Sequence, residues 1–186
     1  MTDPGRLPEG LTAPVDDGAC DHLPGERLPP VPLTATDGSV VDVSALPGRT
    51  VLYAYPRTGR PGEPLPTDWD VIPGARGCTP QSCAFRDHHA ELRAAGARVF
   101  GLSTQDPGYQ REAAERLHLP FPLLSDAGLD FTRALGLPTF TADGLTLLRR
   151  VTLIVRDGGV EHVFYPVFPP DRNAADVLGW LETHPT

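Results

Sequence analysis

The stretch TVLYAYP (residues 50–56) is a short run of apolar and β-favouring residues that ends at a proline. A run of this length without polar alternation is typical of a strand that is buried on both faces of a sheet. Such a strand must be covered from above and from below, and helices are the usual cover. The stretch therefore predicts an α/β fold built around a central sheet.

Elements on both sides of this strand favour the same architecture. We predict one hairpin over 32–46, turning at Asp37-Gly38, and a second over 150–166, turning at Asp157-Gly158-Gly159. Two more strands are predicted over 97–103 and 121–125. Helices are predicted over 79–96, 109–119, 128–136 and 171–183. Strands and helices in this order indicate an α/β layered domain with a mixed sheet.

The chain has room for one domain. Its 186 residues are enough to bury a stable hydrophobic core without the help of disulfide bonds. Residues 1–30 are rich in proline and lack periodicity, so we expect an extended arm that lies over the domain or is partly disordered. The domain itself is predicted to span 31–186.

Charge and hydropathy exclude several classes of partner. The net charge of −8 argues against a nucleic-acid backbone as the main partner. The N-terminal sequence does not read as a secretory signal, and no apolar run approaches the roughly 20 residues that cross a bilayer. We therefore expect a cytoplasmic protein that binds neither membrane nor nucleic acid. Thiols there are kept reduced, so a close cysteine pair indicates catalysis or metal binding.

Two of the three cysteines, Cys78 and Cys83, are five positions apart where a loop becomes a helix. An ideal helix separates their Cα atoms by roughly 8.7 Å, whereas a disulfide needs less than about 7 Å. The pair can bond only if the first helical turn unwinds. This disfavours a permanent structural disulfide and fits a thiol pair that alternates between two conformations.

The helix start also bears on the reactivity of Cys78. Unpaired N–H groups and the positive end of the helix dipole stabilise a thiolate there relative to a thiol. Two alternatives stay open at this point. The cysteines could be ordinary small or free residues, or they could bind zinc together with His88 or His89 and Cys20.

A long loop precedes the cysteine pair. Residues 57–77 form a 21-residue stretch with four prolines and no periodic signal. Loops of this length inside compact domains are usually functional or mobile.

Residues 31–183 resemble the peroxiredoxins of the AhpC/TSA superfamily, and most closely the PrxQ subgroup, also called bacterioferritin comigratory proteins. The resemblance rests on five motifs in the family's order: VLYAYP, GCTPQSCAFRD, RVFGLSTQD, PFPLLSD and RRVTLIVRDG. It implies a thioredoxin-like fold with an N-terminal hairpin. It also implies a thiol-dependent peroxidase that reduces hydrogen peroxide and organic hydroperoxides.

The resemblance assigns roles to individual residues. It makes Cys78 the peroxidatic cysteine and Cys83 the resolving cysteine of an intramolecular disulfide. It makes Arg150 the arginine that holds peroxide and thiolate, and it puts Pro56 and Gly77 at the substrate site. A thioredoxin-like dithiol would restore both thiols, without a cofactor or a metal. We expect a monomer or a weak homodimer.

One departure from the family pattern concerns the peroxide site. The family has a threonine three positions before the reactive cysteine, but here that position is Ala75. We hypothesise that the long loop folds back and brings Thr58 to the peroxide, with Trp69, Val71 and Ile72 packed over the cleft. The missing hydroxyl also favours an alternative, a non-enzymatic redox sensor or binding protein on the same scaffold.

Overall fold

The computed structural model of the chain describes residues 6–186, so the first five residues of the predicted arm lie outside the described part. Within that range the strands are β1 (Leu33–Ala35), β2 (Val40–Val41), β3 (Arg49–Ala54), β4 (Ala97–Ser103), β5 (Leu123–Ser125), β6 (Thr139–Ala142), β7 (Leu145–Leu148), β8 (Val151–Arg156) and β9 (Gly159–Phe164). The α-helices are α1 (Cys78–Asp87), α2 (His89–Ala94), α3 (Pro107–Arg116), α4 (Asp130–Leu135) and α5 (Asn173–Thr183).

Seven of these strands form one mixed sheet in the order β2-β1-β5-β4-β3-β8-β9. The pairs β3–β4 and β4–β5 are parallel, and the remaining neighbours are antiparallel. The N-terminal hairpin is present, with Leu33 opposite Val41. The predicted α/β class with a central mixed sheet is confirmed.

Strand β3 is buried on both faces, as its sequence predicts. Leu52 and Ala54 point into a core cluster that includes residues of the arm and of α4. Val51, Tyr53 and Tyr55 alternate with them and point into a second cluster, with residues of α1, α2 and α5. Side chains alternate across a strand, so one apolar run supplies both cores.

A tyrosine under α1 requires a glycine in the neighbouring strand. The ring of Tyr53 stacks on Phe85 of α1, with the ring centroids 4.4 Å apart. Gly101 is the register partner of Tyr53 in β4. A Cβ atom at Gly101 would lie 2.9 Å from Tyr53 Cζ and 2.5 Å from Leu123 Cδ2, which is too close for any side chain. The absent side chain lets the tyrosine ring lie flat beneath α1.

Two details differ from the sequence-based prediction. The single helix predicted over 79–96 is broken at His88, which ends α1 and begins α2. The antiparallel β6–β7 pair was not predicted at all. Its turn is Asp143-Gly144, and both residues have positive φ. An Asp-Gly pair between alternating apolar residues is a hairpin signal, so the sequence did contain the information.

The described part of the arm lies over the domain. Cys20, Leu23 and Leu28 are buried in the first core cluster. The arm also pairs with the edge of the sheet, where Leu28 N donates to Gly158 O at 2.9 Å and Val160 N donates to Glu26 O at 2.8 Å. The division of the chain at residue 31 stays a prediction. In the range 6–186, no helix is long and apolar enough to cross a membrane.

Candidate active site

The strand directions bring three distant parts of the chain together at one end of the sheet, where β3 ends and β8 begins. Pro56 follows the carboxyl end of β3, and α1 begins at Cys78 after the long loop. Strand β8 runs antiparallel to β3 with Val151 opposite Ala54, so Arg150 arrives at the same end. In open α/β sheets, ligand-binding sites form at this end of the sheet, outside the carboxyl ends of the parallel strands.

Cys78 is the first residue of α1 and is only 4% exposed. Its thiol lies 3.7 Å from Ala75 O, and Arg150 Nη2 lies 3.3 Å from its sulfur. The helix N-cap is Gly77, which has no side chain to cap the first turn. The guanidinium and the helix dipole both favour a negative charge on the sulfur.

Arg150 is held rigidly and is itself 3% exposed. Its Nη2, which carries two hydrogens, lies 3.3, 3.2 and 3.2 Å from the carbonyl oxygens of Gly74, Ala75 and Arg76, which share these donors. Its Nη1 donates to Gln81 Oε1. These contacts position the buried guanidinium beside Cys78, whereas its Nε has no hydrogen-bond partner among residues 6–186. The predicted pairing of Cys78 with Arg150 is therefore present as a contact.

A buried polar chain behind Arg150 was missed by sequence reasoning. Gln81 Nε2 donates to Asn173 Oδ1 at 3.0 Å, and Thr152 Oγ1 donates to the same oxygen at 2.7 Å. Gln81 is three positions after Cys78, and that spacing puts both on one helix face. Asn173 begins α5, 92 positions after Gln81, and nothing in the sequence points to it.

Cys83 lies inside α1, one and a half turns after Cys78, and is half-buried. Burial raises the pKa of the Cys83 thiol, although Arg86 acts in the opposite direction. Both thiols are free and both belong to one intact helix. The expected geometry thus holds, in which a bond between them requires the first turn to open.

Comparisons with known proteins identify the family. The Redoxin family matches residues 23–178. Peroxiredoxin Bcp of Escherichia coli is 32% identical over 165 residues, which is 86% of this chain and 96% of that protein. The chain belongs to the peroxiredoxins, in the peroxiredoxin Q/Bcp group.

Other relatives give the same family. The chloroplastic peroxiredoxin Q of Oryza sativa subsp. japonica is 32% identical over 162 residues, or 86% of this chain, and the chain spans 66% of that protein's length. The crystal structure of peroxidoxin BcpB from Mycobacterium tuberculosis has a TM-score of 0.71 and 26% identity, covering 89% of this chain and 100% of that one. The thioredoxin-like peroxiredoxin fold inferred from the sequence is confirmed.

Thr58, the proposed replacement for the family threonine, is hydrogen-bonded to Gln105. Thr58 is buried, and its hydroxyl donates to Gln105 Oε1 at 3.3 Å. Its N–H donates to the same oxygen at 3.0 Å, while Gln105 Nε2 donates to Thr58 O at 3.1 Å. Thr58 and Pro56 do lie at the same edge of the sheet as Cys78, but a contact between Thr58 and a bound peroxide stays a prediction.

Cys20 lies on the other face of the sheet from Cys78. It packs in the cluster that contains Leu52, whereas Cys78 packs in the cluster that contains Tyr53. Burial and the neighbouring Asp17 raise the pKa of Cys20 to about 12. A metal ion could not reach Cys20 and Cys78 together, so this structure does not assemble the zinc alternative.

The long loop packs against the β6–β7 pair and forms one wall beside the site. Trp69 is buried with Ala75 and Leu147, and its ring lies 6.1 Å from that of Phe140. Ile72 packs against the same cluster, whereas Val71 is 69% exposed, contrary to expectation. A cavity of about 410 Å³ lies between the arm, the loop, β6 and the residues just before β8, and is lined by Pro14, Ile72, Pro73, Phe140, Arg150 and Tyr165 among others.

Proposed function

We propose that this peroxiredoxin is a thiol-dependent peroxidase that reduces hydrogen peroxide and organic hydroperoxides at Cys78. The observation that supports this most strongly is the contact between Arg150 Nη2 and Cys78 Sγ, 3.3 Å long, at the start of a helix. Two fixed sources of positive potential converge on one sulfur, as a nucleophilic thiolate requires.

In the first step the Cys78 thiolate attacks the terminal oxygen of the hydroperoxide. The O–O bond breaks, the sulfur becomes a sulfenic acid, and the departing oxygen takes a proton and leaves as water or an alcohol. Arg150 carries four N–H donors on its two terminal nitrogens and stabilises the charge that develops on the departing oxygen. Pro56 and Gly77 are proposed to border the peroxide.

In the second step the start of α1 unwinds and the Cys83 thiol attacks the sulfenic sulfur. The disulfide forms and water leaves. An external dithiol of the thioredoxin type then reduces the disulfide by exchange, which returns both thiols. The cycle needs no metal and no organic cofactor.

The cavity beside Arg150 supports organic hydroperoxides as substrates in addition to hydrogen peroxide. Its lining includes apolar side chains such as Ile72 and Phe140, and Arg150 forms part of its wall. An apolar pocket with one fixed polar group suits a molecule with an organic tail and a polar head.

A steady-state assay tests the proposal. The protein, thioredoxin, thioredoxin reductase, NADPH as the electron source, and either hydrogen peroxide or cumene hydroperoxide are mixed, and peroxide loss is followed. An enzyme consumes many equivalents of peroxide per protein. The alternative, a redox sensor favoured by Ala75, stops after one equivalent, and that result would replace the peroxidase proposal.

A further inference from the structure

The arm contacts the backbone that leads into the reactive cysteine. Gly77, the residue before Cys78, is enclosed by Leu7 of the arm on one side and Pro170 on the other. A Cβ atom at Gly77 would lie 2.8 Å from Leu7 Cδ2 and 2.5 Å from Pro170 Cγ. Residue 77 has φ of 109° and accepts the first hydrogen bond of α1, from Gln81 N at 3.0 Å. The start of α1 is therefore seated in a slot that the arm helps to form.

Two further contacts hold the arm over this slot. Pro14 lies against Gly74, with its Cγ atom 3.5 Å from the position of a Cβ there. Asp17 accepts hydrogen bonds from Arg149 Nη1 at 2.8 Å and from Tyr165 Oη at 2.9 Å. Arg149 is the neighbour of Arg150, so the anchor of the arm is one residue from the catalytic arginine.

The arm is held much more strongly after residue 17 than over residues 7–17. Leu23 and Leu28 are fully buried in the core, and His22 Nε2 lies 3.0 Å from Leu135 O. Val15, by contrast, is 81% exposed, and a cavity of about 410 Å³ remains beneath residues 12–15. A segment with few buried contacts can detach locally while the core stays folded.

We propose that residues 7–17 of the arm are a clamp on the start of α1, with Leu7 as a positioning residue that controls how readily Cys78 reaches Cys83. The inference rests on the proposed peroxidase function. Disulfide formation requires the first turn of α1 to unwind, and this movement takes Gly77 out of the slot between Leu7 and Pro170. Contacts that hold Gly77 in the slot stabilise the wound helix and slow the disulfide step.

The clamp also sets the sensitivity of Cys78 to over-oxidation. A Cys78 sulfenic acid has two fates in the presence of hydroperoxide. Attack by the Cys83 thiol gives the disulfide and water, whereas reaction with a second hydroperoxide gives the sulfinic acid and an alcohol or water. A tighter clamp prolongs the wound state, in which only the second reaction is open. The first oxidation of Cys78 needs no unwinding and is not affected.

The test compares Leu7→Ala and Asp17→Ala with the parent protein, and Val40→Ala, at an exposed valine of β2 outside the arm and the cavity, is the matched control. Single-turnover kinetics give the rates of the first oxidation and of disulfide formation. Mass spectrometry gives the peroxide concentration at which half of Cys78 is sulfinic during turnover. We expect both variants to speed disulfide formation, and to raise that concentration, by about threefold or more, because Leu7→Ala removes the side chain that lies against Gly77 and Asp17→Ala removes the hydrogen bonds that anchor the arm.

Hydrogen exchange supplies a readout that does not depend on chemistry at the sulfur. The peptide containing the Gln81 amide should exchange faster in Leu7→Ala than in Val40→Ala or the parent. If disulfide formation and exchange in Leu7→Ala and Asp17→Ala match the parent, the clamp is wrong while the peroxidase stands. If the parent consumes peroxide without forming the Cys78–Cys83 disulfide, both the resolving step at Cys83 and the clamp are wrong.

Discussion

Arg150 Nη2 lies 3.3 Å from Cys78 Sγ, although the two residues are 72 positions apart in the chain. Three backbone carbonyls of the loop that leads to Cys78 hold the same nitrogen. The guanidinium is thus a link between the loop and the start of α1 as well as a neighbour of the thiol. It is fixed before substrate binds, and this preorganisation favours catalysis.

Replacing Arg150 by lysine should slow the first oxidation of Cys78 by about tenfold or more. Lysine keeps the charge but cannot donate to Gln81 and to the sulfur from one planar group, and a lost transition-state contact of about 1.4 kcal/mol corresponds to tenfold. Stopped-flow measurement of sulfenic acid formation checks this. Arg156→Lys, at the exposed end of β8, the strand that begins just after Arg150, is the control and should react at the parent rate.

Cys78→Ser should abolish peroxide consumption, because a serine hydroxyl at this position stays protonated and is a poor nucleophile. The coupled assay with thioredoxin measures the loss. Cys20→Ser is the matched control, since that residue lies on the other face of the sheet. Turnover of Cys78→Ser near the parent rate would show that another residue is the nucleophile.

Cys83→Ser should leave the first oxidation intact and block the disulfide. Cys78 then accumulates as sulfinic acid, because its sulfenic acid has no thiol partner in reach. Mass spectrometry after peroxide treatment should find two added oxygen atoms on the peptide containing Cys78. An unchanged catalytic cycle in this variant would mean that Cys83 is only a packing residue of α1.

Thr58→Val tests the replacement-hydroxyl hypothesis. If the Thr58 hydroxyl turns from Gln105 to the peroxide, its loss should cut the oxidation rate by at least about tenfold, as removal of one transition-state hydrogen bond does. Thr58→Ser keeps the hydroxyl and should restore most of the rate. Equal rates in the valine variant and the parent would leave the hydroxyl with only its structural bond to Gln105.

The stability of the fold should decrease at alkaline pH in part because of Cys20. Its pKa is about 12 in the folded protein, against about 8.5 for an unperturbed thiol. The folded state therefore binds the Cys20 proton more tightly than the unfolded state does. The contribution of this proton to the free energy of unfolding is complete below a pH of about 8.5 and is lost as the pH rises toward 12.

Urea unfolding at pH 7 and pH 10 measures this contribution. Cys20→Ala should lower the free energy of unfolding at pH 7 by leaving a small cavity, and should show a smaller further loss at pH 10 than the parent. Tyr53, Tyr55 and Cys83 also have pKa values raised by burial and titrate in the same direction. The difference in slope between variant and parent isolates Cys20. Equal slopes would contradict the assignment.

Local patterns in the sequence determined the class of the fold and the position of the cysteine pair at the start of a helix. The apolar run of β3, the hairpin at Asp37-Gly38 and the spacing of Cys78 and Cys83 each involve residues that are near neighbours in the chain. Strand burial, turn geometry and helix rise act over such short distances, so these features can be read without coordinates. The resemblance to the peroxiredoxins added Arg150 to this list.

Only the tertiary structure decided what surrounds the Cys78 thiol. The chain Arg150–Gln81–Asn173 joins three elements, and no local pattern records such a contact. The same holds for the seat of Leu7 against Gly77 and for the packing of Trp69 on the β6–β7 pair. These contacts depend on how the sheet and helices come together, because a buried side chain is fixed by all of its neighbours at once.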